Sequence, residues 1–110
     1  MWTLFDDGST IGTKGSEDGV IIKDEEHNSG ARITLEKDVR NSVPFAITCG
    51  VYGLFVHTVY CSDSEVMTKY ESMKCDIDKL LKELGNDNIP RLIDEFINKY
   101  WIDIICTYVI

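Results

Sequence analysis

Histidine is scarce in this chain: there are two, His27 and His57. The four cysteines, at positions 49, 61, 75 and 106, form no Cys-x-x-Cys pair, and neither histidine has zinc-like spacing around it. Metal sites need several such ligands converging on one point, so no metal ligands and no cofactor are expected. Lys and Arg form no cluster, and the net charge is -8. Such a surface repels phosphates and anionic lipid, which argues against a nucleic-acid or membrane partner. No apolar run approaches the ~20 residues of a membrane helix. Met1-Trp2-Thr3-Leu4-Phe5 runs into Asp6-Asp7, without the basic start or apolar length of a signal peptide. A cytoplasmic location with reduced thiols is therefore expected.

Other absences narrow the chemistry. Gly12-Thr13-Lys14-Gly15-Ser16 lacks the Gly-Lys-Ser/Thr ending of a phosphate loop, and no helix pattern follows it. Asp24-Glu25-Glu26 lacks the alternating acids and glycine of a calcium loop. Nucleophilic catalysis needs a Ser or Cys within reach of a base. His57 and Cys61 come nearest, on one face of a strand, but four residues at about 3.3 Å each hold them about 13 Å apart. No catalytic residues are assigned, and the chain is not expected to be an enzyme.

What is present is an uncharged stretch from Pro44 to Cys61, rich in Val, Ile, Phe, Tyr and Thr. That composition favours strand. Gly50 and Gly53 bracket Val51-Tyr52, so the chain should reverse there. With a two- or four-residue loop, Phe45, Ile47 and Cys49 share an apolar face with Leu54, Val56, Thr58 and Tyr60. The mixed face then holds Ala46, Thr48, Phe55, His57, Val59 and Cys61. A three-residue loop would reverse the parity of the second strand.

Upstream, Trp2 to Phe5 reads as a short strand. Ser9 to Gly19 reads as a mobile loop or loose hairpin rich in Gly, Ser, Thr and Asp. Val20 to Asp24 is a strand, Asp24 to Gly30 an acidic turn, and Ala31 to Glu36 the returning strand, alternating apolar and polar. Downstream, Ser62 with Glu65 fits a capping box. Val66, Tyr70, Met73, Ile77, Leu80, Leu81 and Leu84 then form one helical stripe, with Gly85 as its cap. Pro90 opens a second helix whose apolar pairs run from Leu92 to about Ile105. The final run, 101–110, fits helix or strand.

A content of 44% hydrophobic and 27% charged residues is that of a globular chain. With neither repeat nor linker, residues 1–110 are expected to form a single α+β domain. Its antiparallel sheet should have four to five strands, built from two successive hairpins, with two antiparallel C-terminal helices on one face. The expected core is Phe45, Ile47, Val56, Val66, Tyr70, Met73, Ile77, Leu80, Leu81, Leu92, Phe96 and Ile97.

In general look the chain resembles small bacterial immunity and antitoxin-type proteins, which are short, acidic and α+β without a catalytic constellation. The likeness is one of class and rests on no motif. It implies a protein-binding domain whose partner is another protein, a basic one. The expected contact surface is Asp24, Glu25, Glu26 and Glu36, with Asp6, Asp7, Glu17 and Asp18 nearby in sequence. Two alternatives stand beside it. One is a homo-oligomer, such as a homodimer, using the mixed sheet face and the apolar C-terminal residues Trp101, Tyr108, Val109 and Ile110. The other is a ligand-binding domain or small enzyme with a sheet pocket at Tyr60, His57 and Cys61.

Overall fold

The computed structural model describes residues 1–40, 43–62, 65–85 and 87–109, with side chains as far as Tyr100. Five strands form one antiparallel sheet in sequence order: β1 (Trp2–Leu4), β2 (Val20–His27), β3 (Ala31–Lys37), β4 (Phe45–Val51) and β5 (Phe55–Cys61). Helices α1 (Val66–Glu83) and α2 (Ile89–Val109) follow. The fold is α+β, as the order of strand and helix patterns predicts.

The connection from β4 to β5 decides which side chains lie inside. Val51 pairs with Phe55, so Tyr52-Gly53-Leu54 is a three-residue loop. Leu54 N–H donates to Val51 O at 2.9 Å, and Gly53 takes φ +78. That is the left-handed position a tight turn reserves for glycine. Gly50 lies within β4, opposite Val56, where a Cβ would come 2.3 Å from Phe55 O. The odd loop length turns β5 over relative to the two- or four-residue expectation. Phe55, His57, Val59 and Cys61 face the helices with Phe45, Ile47, Cys49 and Val51. Val56, expected in the core, is 75% exposed on the open face.

The helix-side core takes Ala31, Ile33 and Leu35 from β3 and Ile47, Cys49 and Val59 from the next two strands. Val66, Tyr70, Met73, Ile77 and Leu80 close it from α1, and Leu92, Phe96 and Tyr100 from α2. Phe45, Leu81 and Ile97 pack against it while half-buried. Burying each large side chain is worth about 1.5–3 kcal/mol, so this layer dominates cohesion. In β2, Ile21 pairs with Glu36 and Lys23 with Leu35, leaving Ile22 as a bulge. The extra residue lets Ile22 pack on the helix-side core while Ile21 is buried below the 9–19 loop.

Three local expectations are corrected. Strand β2 runs on to His27, so Asp24, Glu25 and Glu26 are strand residues paired with Thr34, Ile33 and Arg32, not a turn. Helix α1 begins after Glu65, whose side chain makes no capping bond, so Ser62 lies too early to cap it. Asp63 and Ser64, between them, lie outside the described residues. At the other end Leu84, not Gly85, leaves the helix, with φ -58 and ψ 128. Asn88 supplies the cap. Its Nδ2 donates to Glu83 O at 2.8 Å, its Oδ1 accepts from Gly85 N–H at 2.8 Å, and its own carbonyl accepts from Leu92 N–H at 3.0 Å. Asn88→Ala removes two of these bonds and should cost about 1–2 kcal/mol, seen as a lower urea midpoint with an unchanged m-value. For the closing segment, α2 continues in helical form to Val109, which settles the helix-or-strand alternative up to that residue.

Candidate functional site

The two faces of the sheet carry different chemistry. On the helix side the polar groups are tied down. Glu25 accepts from Tyr70 Oη at 2.7 Å and from Lys74 Nζ at 3.0 and 2.9 Å. Burial pushes the Glu25 carboxyl upward, but the bonds from Lys74 and Tyr70 outweigh it, and the group sits below the usual range. His27 Nε2 lies 2.8 Å from Asp78 Oδ1 and 3.0 Å from the Met1 amino group, with Trp2 edge-on to its ring.

His57 differs on that face: among the described residues its ring nitrogen Nε2 is the buried side-chain atom left without a hydrogen bond. The residue is 8% exposed and lies edge-on to Phe96 at 6.5 Å. Burial depresses its pKa from 6.5. Between 6.5 and the lower folded value the unfolded chain binds more protons, so stability falls as the pH drops through that window and levels off below it. His57→Phe removes the orphaned nitrogen and should stabilise the protein by about 1–2 kcal/mol at neutral pH. It should also abolish the mildly acidic slope, as followed by denaturant titration against pH.

On the open face two buried carboxylates organise the loop above. Asp24 is wholly buried and accepts from Arg32 Nε at 2.9 Å, Arg32 Nη2 at 2.6 Å, Thr10 Oγ1 at 2.8 Å and Thr34 Oγ1 at 3.1 Å. Burial pulls its pKa up, and the bonds from Arg32, Thr10 and Thr34 more than reverse this. The Arg32 guanidinium lies over the Phe5 ring at 3.5 Å. Glu36, also wholly buried, accepts from the backbone N–H of Glu17 at 3.1 Å and of Gly19 at 3.1 Å. A Cβ on Gly15 would come 2.2 Å from the Glu36 carboxyl, so only glycine fits that approach. The 9–19 segment folds back on β2 through Gly12 N–H to Ile21 O and a Lys14–Val20 bridge. It is an anchored hairpin.

Between this hairpin and the β4–β5 end of the sheet lies a cleft of about 780 Å³. Thr13, Lys14, Arg32, Thr48, Tyr52 and Val56 are among its lining residues. Its outer rim leads to β5, the last strand in the sheet order. The opposite edge, β1, has three residues and ends in a tight 3-10 turn at Phe5–Gly8. By contrast β5 has seven residues, with neither proline nor bulge nor any Lys, Arg, Asp or Glu. Natural sheet edges are usually blunted by shortness, charge, proline or bulges. The β1 edge is blunted in this way; β5 has none of these features, but helix α2 packs along it, with Phe96 on Phe55 and His57, and Val59 and Cys61 are fully buried. Exposed Tyr52, Leu54 and Val56 add apolar surface at the same corner.

The sequence-derived candidates fall apart accordingly. Asp24 and Glu36 are interior. Glu25 lies on the helix side, and Glu26 accepts from Tyr52 Oη at 2.7 Å. The four acids are therefore not one exposed patch, because alternation along β2 sends Glu25 to the face opposite Asp24 and Glu26. Tyr60 is on the open face and donates its hydroxyl to Glu17. His57 and Cys61 point the other way, beneath α2. These three do not line one pocket, because neighbours along a strand alternate sides. Residues missed from sequence are Arg32 and Thr10. The signal was available in part: an Asp eight residues before an Arg across a predicted hairpin.

Among the described residues no three His, Cys, Asp or Glu are grouped to hold a metal, and no helix is long and apolar enough to cross a membrane. No family model matches the chain, and neither a curated protein nor a solved structure matches it.

Proposed function

We propose that this chain is a protein-binding domain, not an enzyme, and that it engages its partner at the open-face corner formed by the β4–β5 turn and β5. One observation carries the reading: Tyr52, Leu54 and Val56 form an exposed apolar corner that lines the cleft. On the open face β5 presents Val56, Thr58 and Tyr60, and Val56 is exposed. The cleft beside them gives room for a partner side chain.

The open-face polar groups support binding over catalysis. Asp24, Arg32 and Glu36 are committed to internal bonds that hold the 9–19 hairpin, and the buried Cys49 thiol is pushed up to about 12, far from a reactive thiolate. Free thiols at Cys49 and Cys75 suit the reducing cytoplasm. The class likeness to immunity and antitoxin-type proteins fits a small domain acting through one protein contact.

A photo-activatable side chain at Thr58, compared in cells with one at the exposed Glu71 on α1, tests the reading. A discrete protein adduct from position 58 and none from position 71 is expected. No adduct from 58, or the same adducts from both, would overturn it.

A further inference from the structure

We propose that the cleft under the 9–19 hairpin is a small-molecule site, and that its ligand is an uncharged, flat molecule joining a ring to a carboxamide. The inference does not rest on the protein contact at the corner. A partner side chain entering there would fill only part of the 780 Å³. That volume lies within the roughly 300–1,000 Å³ of ligand pockets.

The sheet gives the cleft a low floor. Two neighbouring cross-strand rows pass over the open face, Arg32–Gly50–Val56 and Thr34–Thr48. Gly50 has no side chain and admits none, because a Cβ would come 2.3 Å from Phe55 O. The middle of the floor therefore stays at backbone height between Arg32 and Val56. Thr13, Lys14 and Ser16 of the hairpin form the opposite wall. That wall stands without a ligand, since the buried Asp24 and Glu36 carboxylates fix the hairpin from below. Space between a sheet and a hairpin suits a flat ring, and Tyr52 and Val56 give it apolar contacts.

The hydrogen-bonding groups select an amide. Asp24 draws three side chains to one point. Thr10 and Thr34 donate their hydroxyl protons to it at 2.8 and 3.1 Å, and Arg32 donates from Nε and Nη2. Both hydroxyl oxygens are left as acceptors only. Thr13, which donates to Thr10 O at 2.6 Å, is a third. Arg32 keeps the two N–H groups of Nη1, which donate to none of the described residues. A carboxamide supplies both complements: a carbonyl oxygen for Nη1 and an N–H for a threonine oxygen.

Charge argues against an ionised ligand. The cations in the walls are already matched, Arg32 by Asp24 at 2.6 Å and Lys14 by Asp18 at 3.4 Å. Among the described residues no Asp or Glu lines the cleft. Asp24 and Glu36 nevertheless lie buried behind it, and Glu26 pairs with Arg32 across the strands. An anion would face those carboxylates, and a cation would face Lys14 and Arg32.

Titration of the full chain with benzamide, benzoate and benzamidine, followed by backbone amide NMR shifts, is the test. The three probes share one flat shape and differ in charge. Benzamide should bind at about 10 mM or tighter and shift Thr13, Arg32, Gly50 and Val56. Each ion should bind at least about fivefold more weakly, because its charge must be desolvated without a partner. Thr48→Leu fills the floor and should abolish the benzamide shifts. Far-ultraviolet circular dichroism checks that this variant folds. If it does not, Tyr52→Ala at the exposed rim replaces it and should weaken benzamide at least about threefold. No shift from any probe, an ion bound as tightly as benzamide, or benzamide binding that the folded variant leaves unchanged would overturn the proposal. The adduct from position 58 reads the protein contact with no probe present, so failure of the ligand site and failure of that contact are separate results.

Discussion

Asp24→Ala is expected to cost about 3 kcal/mol of folding stability. Breaking a buried ion pair from one side costs about 3–5 kcal/mol, and the lower end applies because the partner keeps access to water. The Arg32 side chain is 35% exposed, while that of Asp24 is wholly buried. The loss has three parts: the bidentate Arg32 pair, the Thr34 bond within the sheet, and the Thr10 bond that ties down the start of the 9–19 hairpin. Urea unfolding reads the total. Amide exchange should also show residues 10–13 opening more readily than α1. The pH dependence adds a second readout. The folded pKa of Asp24 lies below its ordinary value of 3.8, so its stabilisation is complete above that value and is lost as the pH falls through the folded one. Glu25, Asp76 and Asp78 are lowered as well. The wild type should thus lose stability in acid below about 4, and Asp24→Ala should flatten part of that slope. This acid window opens at 3.8, whereas that of His57 opens at 6.5.

Glu36→Ala is expected to cost about 3–4 kcal/mol, since bonds to a charged acceptor are worth about 1.5–3 kcal/mol each and two backbone donors lose theirs. The donors are the N–H groups of Glu17 and Gly19, both in the hairpin that walls the cleft. The local effect should exceed the global one. Residues 13–19 should exchange their amides rapidly, and the Tyr60–Glu17 bond should be lost with them. If Glu36→Ala left exchange over 13–19 unchanged, the carboxylate would not be the anchor of that hairpin.

Much of the fold was legible in sequence because its periods are long and clean. The stripe Val66, Tyr70, Met73, Ile77 and Leu80 repeats over more than three turns, and all five residues are buried. The uncharged 44–61 stretch gave two strands for the same reason. What stayed hidden was the parity of β5, which turns on a single residue of loop length. Gly50 and Gly53 look alike in sequence. One is the φ +78 residue of the turn, and the other lies inside β4 where the β5 backbone passes close. Only the cross-strand register separates them, and it sends Val56 outward and His57 inward. The acidic hairpin misled for a related reason. Adjacent acids suggest a solvated turn, yet each of Asp24, Glu25 and Glu26 has a partner distant in sequence: Arg32 and Thr10, Tyr70 and Lys74, and Tyr52. Composition counts charges but does not tell which are already matched. The uncharged run from 55 to 61 was visible in sequence, though its place at the sheet margin needed the topology.

The same correction moves the functional surface. With Val56, Thr58 and Tyr60 on the open face, the second strand of the central hairpin adds Val56 to the exposed apolar corner of Tyr52 and Leu54.

Crosslinking from Thr58 with Val56→Lys introduced beside it addresses the apolar corner most directly. Loss of the discrete adduct from position 58 is expected, because the added charge stands where Val56 is exposed. An adduct that persists unchanged would contradict a partner seated on that corner.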